Sequence, residues 1–167
     1  MAKRKVLIPL DGSAASRQVV PVVAEYVKPE EAELILLRVA LPVVLPSETM
    51  PYSRYESDRP EPRASYVWST QEQEAYRQQV QDELKDDATE LRQLGYQVTT
   101  EVLFGEPAPE IIEYVKHANI DLIAMTTHGR TGLGRLVLGS VAESVLRNVD
   151  IPILLLRART GSAEDQQ

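Results

Sequence analysis

The residues best suited to chemistry lie together in one stretch, between positions 121 and 143. The stretch begins as an apolar run of strand length and reaches Ser140 ahead of a helical pattern, after glycines at positions 129, 132, 134 and 139. A strand, a glycine-rich loop and a helix N-terminus form an anion site in α/β proteins, because the first N–H groups of the helix have no partner within it. We therefore predict that this stretch receives the phosphates of a nucleotide.

Two residues at the end of the stretch would act directly. Gly139 would let a phosphate approach the backbone, because it carries no Cβ atom. Ser140 is predicted to be the N-cap of the helix, and its hydroxyl would either contact the phosphate or only cap. The alternative interpretation is an ordinary capped helix that follows a flexible loop.

Other polar side chains could join this site. A carboxylate at Asp11, after the first apolar run, could accept from ribose hydroxyls or lie beside a phosphate-bound metal ion, or could only bond the N–H groups of its own turn. His128 could bond a phosphate or the adenine region. Arg130 could pair with a phosphate, although an arginine in a loop is more often only solvated. Glu143 is a candidate general base or, alternatively, an acid that stabilises the first helical turn.

Several other classes of site are disfavoured. The chain has no cysteine, which excludes disulfides, thiolate metal sites and cysteine nucleophiles. The P-loop pattern Gly-x4-Gly-Lys-Ser/Thr is absent, and no Gly-x-Gly-x-x-Gly follows the first apolar run. The formal net charge of −7 disfavours nucleic-acid binding, because such a surface repels a phosphate backbone. An acidic ligand must therefore be held by local donors.

The elements that must position these residues alternate along the chain. Apolar runs predict buried strands at 5–10, 34–39, 120–126 and 152–157, and an alternating pattern predicts a half-buried edge strand at 96–104. Helical spacing predicts four helices: one capped by Ser13 and kinked at Pro21, and others at 70–94, from 107 and at 140–148. This order predicts an α/β fold with a doubly wound parallel sheet, helices on both faces and a ligand site at the carboxyl ends of the strands.

The length of 167 residues predicts a single domain, at 1–157. Residues 42–68 contain five prolines and are predicted to form a long flexible loop, either a tolerated surface insertion or a lid or partner-binding segment. The polar tail at 158–167 is predicted to be disordered. No stretch approaches the roughly 20 apolar residues of a spanning helix, so we expect no membrane association and a cytoplasmic protein.

Five short motifs together resemble the universal stress protein (UspA-like) family. They are Ile-Pro-x-Asp-Gly-Ser at 8–13, Leu-Leu-Arg-Val at 36–39, Gly-Glu-Pro at 105–107, the run 121–130 and the run 138–146. The resemblance covers residues 3 to 157, apart from the loop at 42–68. It implies a five-stranded parallel sheet in the order 3-2-1-4-5 and a homodimer formed through the last strand, 152–157.

The resemblance also implies a nucleotide site. ATP-binding members carry Gly-x2-Gly-x9-Gly-Ser/Thr, and counting back from Gly139-Ser140 places the second glycine at Gly129 and the first position at Thr126, which departs from the pattern. The β-branched Thr126 would either narrow the site or offer its hydroxyl to the ligand.

The implied roles divide among the strand ends and the last helix. Pro9, Leu10 and Asp11 would flank the adenosine, and Val39 would present backbone groups to adenine. Met125, Thr126, His128, Gly129 and Arg130 would surround the ribose and phosphate. The terminal phosphates, with a magnesium or manganese ion, would lie at Gly139, Ser140 and Val141.

The leading hypothesis is therefore a dimeric stress-response protein that binds ATP, or the related AMP or ADP, and regulates a partner through nucleotide occupancy. Two alternatives stay open. The first is an enzyme with slow ATP hydrolysis or autophosphorylation at Ser140, although efficient hydrolysis needs a residue that orients water and groups that stabilise the developing charge. The second is a nucleotide-free structural dimer in which Thr126 closes the pocket.

Overall fold

The computed structural model describes residues 3–41, 70–127 and 139–159. The loop predicted at 42–68 lies outside these ranges, as does the tail from residue 160 onward. The strands are β1 (Arg4–Pro9), β2 (Ala32–Ala40), β3 (Gln97–Phe104), β4 (Leu122–Thr127) and β5 (Ile153–Arg157). The helices are α1 (Ala14–Arg17), α2 (Val19–Tyr26), α3 (Thr70–Gln93), α4 (Pro107–Ala118) and α5 (Ser140–Asn148).

The five strands form one sheet in the order β3-β2-β1-β4-β5, which confirms the predicted topology. Every neighbouring pair is parallel, and Val6 of β1 stands level with both Leu34 of β2 and Leu122 of β4. The chain passes from β1 to β2 and β3 on one side, and then crosses to β4 on the other side of β1. The strand order therefore reverses between β1 and β4.

Alternating strand residues build a core on each face of the sheet, because successive side chains point to opposite faces. One cluster contains Val6 and Leu34 with residues of α2 and α3. The other contains Leu7 and Ile35 with residues of α4 and α5. All four of these side chains are buried, and the two clusters place helices on both sides of the sheet.

The helix boundaries follow mostly from local signals. The Ser13 hydroxyl caps α1 by accepting from the Ser16 N–H at 3.0 Å, and α4 begins at Pro107, both as predicted. Gly95 follows α3 with φ at 94°, a conformation that favours glycine. Helix α3 buries an apolar stripe of four residues: Val80, Leu84, Ala88 and Leu91.

The predicted kink at Pro21 is wrong. The helix is instead interrupted at Gln18, whose N–H bonds the Ala15 carbonyl at 3.2 Å in a tighter turn. Pro21 then falls in the first turn of α2, where its missing N–H has no acceptor within the helix. A proline at this position therefore does not kink the helix.

The carboxyl end of β5 is tied to the helix interruption. Ala158 and Arg159, predicted as the first residues of the tail, both donate backbone hydrogen bonds. The Ala158 N–H bonds the Thr127 carbonyl at 3.2 Å, and the Arg159 N–H bonds the Gln18 side-chain oxygen at 2.8 Å. The Gln18 side chain returns a bond to the Arg159 carbonyl at 2.9 Å.

No helix within the described ranges is long and apolar enough to cross a membrane.

Candidate functional site

The carboxyl ends of the strands bring the sequence-predicted site residues to one edge of the sheet. β1, β2 and β4 are adjacent and parallel, and they end at Pro9, Ala40 and Thr127. The reversal of strand order between β1 and β4 opens the crevice in which doubly wound proteins bind ligands. The structure therefore places the residues from β1, β2 and β4 along this edge. His128, Gly129 and Arg130 lie outside the described residues.

At the end of β1 the chain passes from the core to the surface within three residues, Pro9 to Asp11. Pro9 is half-buried, and Leu10 is 3% exposed within the core cluster that faces α2 and α3. The Leu10 N–H is bonded to the Leu37 carbonyl at 2.8 Å. Both the side chain and the N–H of Leu10 therefore make contacts within the fold. Asp11 is exposed at the edge, and its Oδ1 accepts from the Ser13 N–H at 2.9 Å. The turn interaction that the sequence left open is therefore present.

The ends of β2 and β4 differ in what they expose. Val39 is half-buried and packs on the core cluster that faces α4 and α5, and Met125 is buried in that cluster. Thr126 points to the opposite face, beyond Ala124, and is only half-buried. Among the described residues of β4 that were predicted to surround a ligand, Thr126 is the one with an accessible side chain.

The N-terminus of α5 differs from the prediction by one residue. Gly139 is the N-cap, with φ at −56° and ψ at 153°, and Ser140 is the first helical residue rather than the cap. The extended backbone at Gly139 already turns the chain into the helix, and the Gly139 carbonyl accepts from the Glu143 N–H at 2.9 Å. Because the N-cap is a glycine, it supplies no capping side chain of its own to the first turn. The exposed Ser140 hydroxyl is therefore not used as a cap, while Val141 packs partly into the core.

Glu143 is engaged within α5. Arg147, one turn later, donates to Glu143 Oε1 from Nη2 at 2.8 Å and from Nε at 3.2 Å. Both side chains are exposed. Glu143 is an acid in the first turn of α5, where a negative charge favours the helix dipole.

The turn after β1 contains arginine contacts that sequence reasoning missed. Gly12 has φ at 85°, and its carbonyl accepts from Arg17 Nη1 at 2.9 Å. The guanidinium of Arg38 lies against the Gly12 Cα and donates to Glu83 Oε2 at 2.8 Å. The sequence feature that could have indicated a special role for Arg38 was its charge inside the apolar run of β2.

The acidic and histidine residues elsewhere do not add to the site. His117 Nε2 lies 2.6 Å from Glu113 Oε1, and this contact, followed by the charge of Lys116, holds the pKa of Glu113 below its ordinary value. The end of α4 lies at the amino edge of the sheet, where Lys5 Nζ donates to the Ala118 carbonyl. Within residues 3–41, 70–127 and 139–159, no group of three His, Asp or Glu side chains is arranged to hold a metal ion.

Comparison with known proteins agrees with this architecture. The model of the Universal stress protein family matches residues 3–157. The universal stress protein MJ0531 of Methanocaldococcus jannaschii is 32% identical over 154 residues, which cover 92% of this chain and 82% of that protein. YxiE, a universal stress protein of Bacillus subtilis, is 28% identical over 92% of this chain and 98% of its own length.

Solved structures share the fold at lower identity. The protein MJ0577 aligns with a TM-score of 0.68 and 20% identity, covering 96% of this chain and 100% of that one. A universal stress protein in complex with cAMP aligns at 0.62 and 19%, covering 94% and 98%. A family protein of Arabidopsis thaliana with AMP bound aligns at 0.61 and 14%, covering 98% and 99%. The family match over nearly the whole chain, together with these relatives, shows that the chain belongs to the universal stress protein family.

Proposed function

We propose that this protein binds an adenine nucleotide in the crevice between β1 and β4. The observation that carries the proposal is the pair of groups that flank this crevice. Asp11 is exposed after β1, and α5, which follows β4 along the chain, begins at the Gly139 N-cap, which has no capping side chain of its own. One fold neighbour carries cAMP and another carries AMP, which supports an adenine nucleotide as the ligand class.

The first turn of α5 is the proposed phosphate site. Its N–H groups carry partial positive charge, and the helix dipole favours an anion at this end. Gly139, as the N-cap, adds no Cβ atom at this end of the helix, and Ser140 is exposed beside it. In a chain with a formal net charge of −7, such local donors offset the repulsion of a phosphate.

The strand ends form the proposed adenosine site. Leu10 and Met125 have buried side chains, so they would act through their main chains. Val39 would present its backbone to adenine, while Pro9 and Asp11 would flank the adenosine together with Leu10. Thr126 would meet the ribose or phosphate with the side chain that occupies the glycine position of the motif.

We further propose ATP, with magnesium or manganese, as the physiological ligand. The described residues offer no three-ligand group for an ion, so the phosphates would supply most of the coordination. Asp11 is the proposed protein group nearest to such an ion, since carboxylate oxygens suit these hard cations. AMP or ADP would occupy the same adenosine site with fewer contacts at α5.

The proposed assembly is a cytoplasmic homodimer whose nucleotide occupancy regulates a partner. β5 is an edge strand that pairs with β4 on one side within the described chain. Four of its residues are apolar and only half-buried: Ile153, Leu154, Leu155 and Leu156. A second copy at this edge would cover both the unpaired backbone groups and these side chains.

Native mass spectrometry of the purified protein tests ligand and assembly together. The proposal predicts a dimer mass that increases by the mass of an adenine nucleotide when ATP and magnesium are added. Asp11→Asn should bind the nucleotide more weakly. Asp150→Asn is its matched control, because Asp150 is an exposed acid before β5, at the amino edge of the sheet. A monomer that gains no mass with any adenine nucleotide would contradict the proposal.

A further inference from the structure

Arg38 is a buried charge at the carboxyl end of β2. It is 8% exposed, and it follows Leu34 and Leu36 on the face that carries the first core cluster. Burying a guanidinium costs free energy unless the charge is paired and hydrogen-bonded. Its Nη2 donates to Glu83 Oε2 at 2.8 Å, which supplies a charged partner. An apolar residue would suit this core position at lower cost, so the arginine calls for an explanation beyond packing.

The guanidinium of Arg38 limits what can occupy position 12. A Cβ atom on Gly12 would lie 2.2 Å from Arg38 Nη2 and 2.3 Å from Nη1, well inside van der Waals contact. Arg17 holds the same residue from another direction, through the bond from Nη1 to the Gly12 carbonyl at 2.9 Å. The guanidinium of Arg38 therefore packs on Gly12 while Arg17 bonds the Gly12 carbonyl, so both arginines contact the turn that follows β1.

Helix α3 sets the positions of both arginines. Glu83 accepts from Arg38, and Asp87 accepts from Arg17 Nε at 2.9 Å and 3.1 Å. Glu83 and Asp87 are four residues apart, which places them on the same face of the helix, one turn from each other. The side chain of Asp87 is 15% exposed and that of Arg17 is 37% exposed, so the pair is partly shielded from solvent. The turn after β1 is thus anchored to α3 by two charged pairs.

Asp11 immediately precedes the anchored glycine. Its carboxylate bonds the Ser13 N–H, so its direction depends on the backbone angles of Gly12. We infer that Arg38 is a positioning residue of the proposed nucleotide site: held by Glu83, it fixes the Gly12 backbone and through it the Asp11 carboxylate. The inference rests on the proposed function, because it gives Arg38 a role in nucleotide affinity without contact to the nucleotide.

The first test is the dissociation constant for ATP with magnesium, measured by isothermal titration on the full chain. Arg38→Met keeps much of the side-chain volume and removes the guanidinium, and we expect it to weaken binding about tenfold. Arg4→Met is the matched control, since Arg4 forms an exposed pair with Glu31 at the amino end of β1. This control should bind as the wild type does.

A double-mutant cycle with Asp11→Asn separates positioning from a general structural effect. If Arg38 acts through Asp11, Arg38→Met should have little further effect on the dissociation constant once Asp11 is replaced. Fold-changes that simply multiply would show that Arg38 does not act through this carboxylate, and would overturn the inference. Should Arg38→Met fail to fold, the same cycle is run with Glu83→Gln, which removes the charged partner of Arg38 at a side chain that is 43% exposed.

The outcomes separate this inference from the proposed function. Wild-type protein that binds no adenine nucleotide overturns both. Wild-type protein that binds ATP, with Arg38→Met and Glu83→Gln binding equally well, overturns the role of Arg38 alone. Weakened binding in both variants, coupled to Asp11 and absent in Arg4→Met, is the result that the inference predicts.

Discussion

Thr126 of β4 stands level with Leu156 of β5, at the carboxyl edge of the sheet and on the face of the first core cluster. Thr126 is half-buried there, at the position where the ATP-binding motif has a glycine. Its β-branched side chain has restricted rotamers, so it occupies a fixed part of the crevice. We therefore expect the Thr126 side chain, beside Leu156, to narrow the proposed site.

Thr126→Gly should therefore tighten the binding of ATP severalfold, as measured by isothermal titration. The variant should also lose about 1 kcal/mol of unfolding free energy, because glycine in a strand loses more backbone entropy on folding. Thr100→Gly is the matched control, since Thr100 is also half-buried, on β3, away from the crevice. Weaker binding in Thr126→Gly would indicate that the threonine hydroxyl contacts the ligand.

The two serines at helix starts should respond differently to alanine. Ser13 caps α1 through its hydroxyl, so Ser13→Ala should lower the free energy of unfolding by about 1 kcal/mol. Ser140 is the first residue of α5 and makes no cap, so Ser140→Ala should change it by less than about 0.5 kcal/mol. Urea unfolding of both variants checks this. Equal losses would place the N-cap of α5 at Ser140.

A side chain at Gly12 should destabilise the turn. Gly12→Ala combines a positive φ with a Cβ position 2.2 Å from Arg38 Nη2, so the end of the Arg38 side chain must move, and we expect a loss of about 1–3 kcal/mol in unfolding free energy. Gly95→Ala is the control, because Gly95 also has a positive φ but its nearest atom, Pro29 Cβ, lies at 3.6 Å. That variant should lose only about 1 kcal/mol, from backbone strain alone. Similar losses in thermal or urea unfolding would mean that Arg38 does not confine Gly12.

Glu113 should titrate below the ordinary glutamate pKa of 4.5, because His117 hydrogen-bonds its carboxylate and Lys116 adds a favourable charge. Because the pKa of Glu113 is lowered in the folded state, its ionised carboxylate stabilises the protein at pH values above the ordinary glutamate pKa. This contribution is lost as the pH falls through the lowered, folded-state pKa. NMR titration of the side-chain carboxyl carbon measures this pKa directly. His117→Gln should raise it toward 4.5, and an unchanged pKa would contradict the role of His117.

The strands and their order followed from the sequence because their signals are local or come from the family motifs. The apolar runs of β1, β2 and β4 and the alternation in β3 each mark a strand without reference to the rest of the chain. The start of α5 was harder to predict, since Gly139 and Ser140 are both acceptable N-caps and the backbone angles decide between them. Pro21 was misread because its position within the helix depends on where α2 restarts.

The role of Arg38 could not be predicted from sequence because it depends on distant packing. Its partner Glu83 is 45 residues away along the chain, on a helix whose contact with β2 follows from the tertiary fold. A charge inside an apolar run showed that the position was unusual but named no partner. The parts of the site at 128–130 remain predictions from the motif.

Isothermal titration of ATP with magnesium into the wild-type protein tests the central claim most directly. The account predicts saturable binding with one nucleotide per chain and a matching rise in thermal stability, since a ligand that binds the folded state stabilises it. Asp150→Asn should bind as the wild type does, and Asp11→Asn more weakly. No heat and no thermal shift at millimolar nucleotide would contradict the claim that this crevice binds an adenine nucleotide.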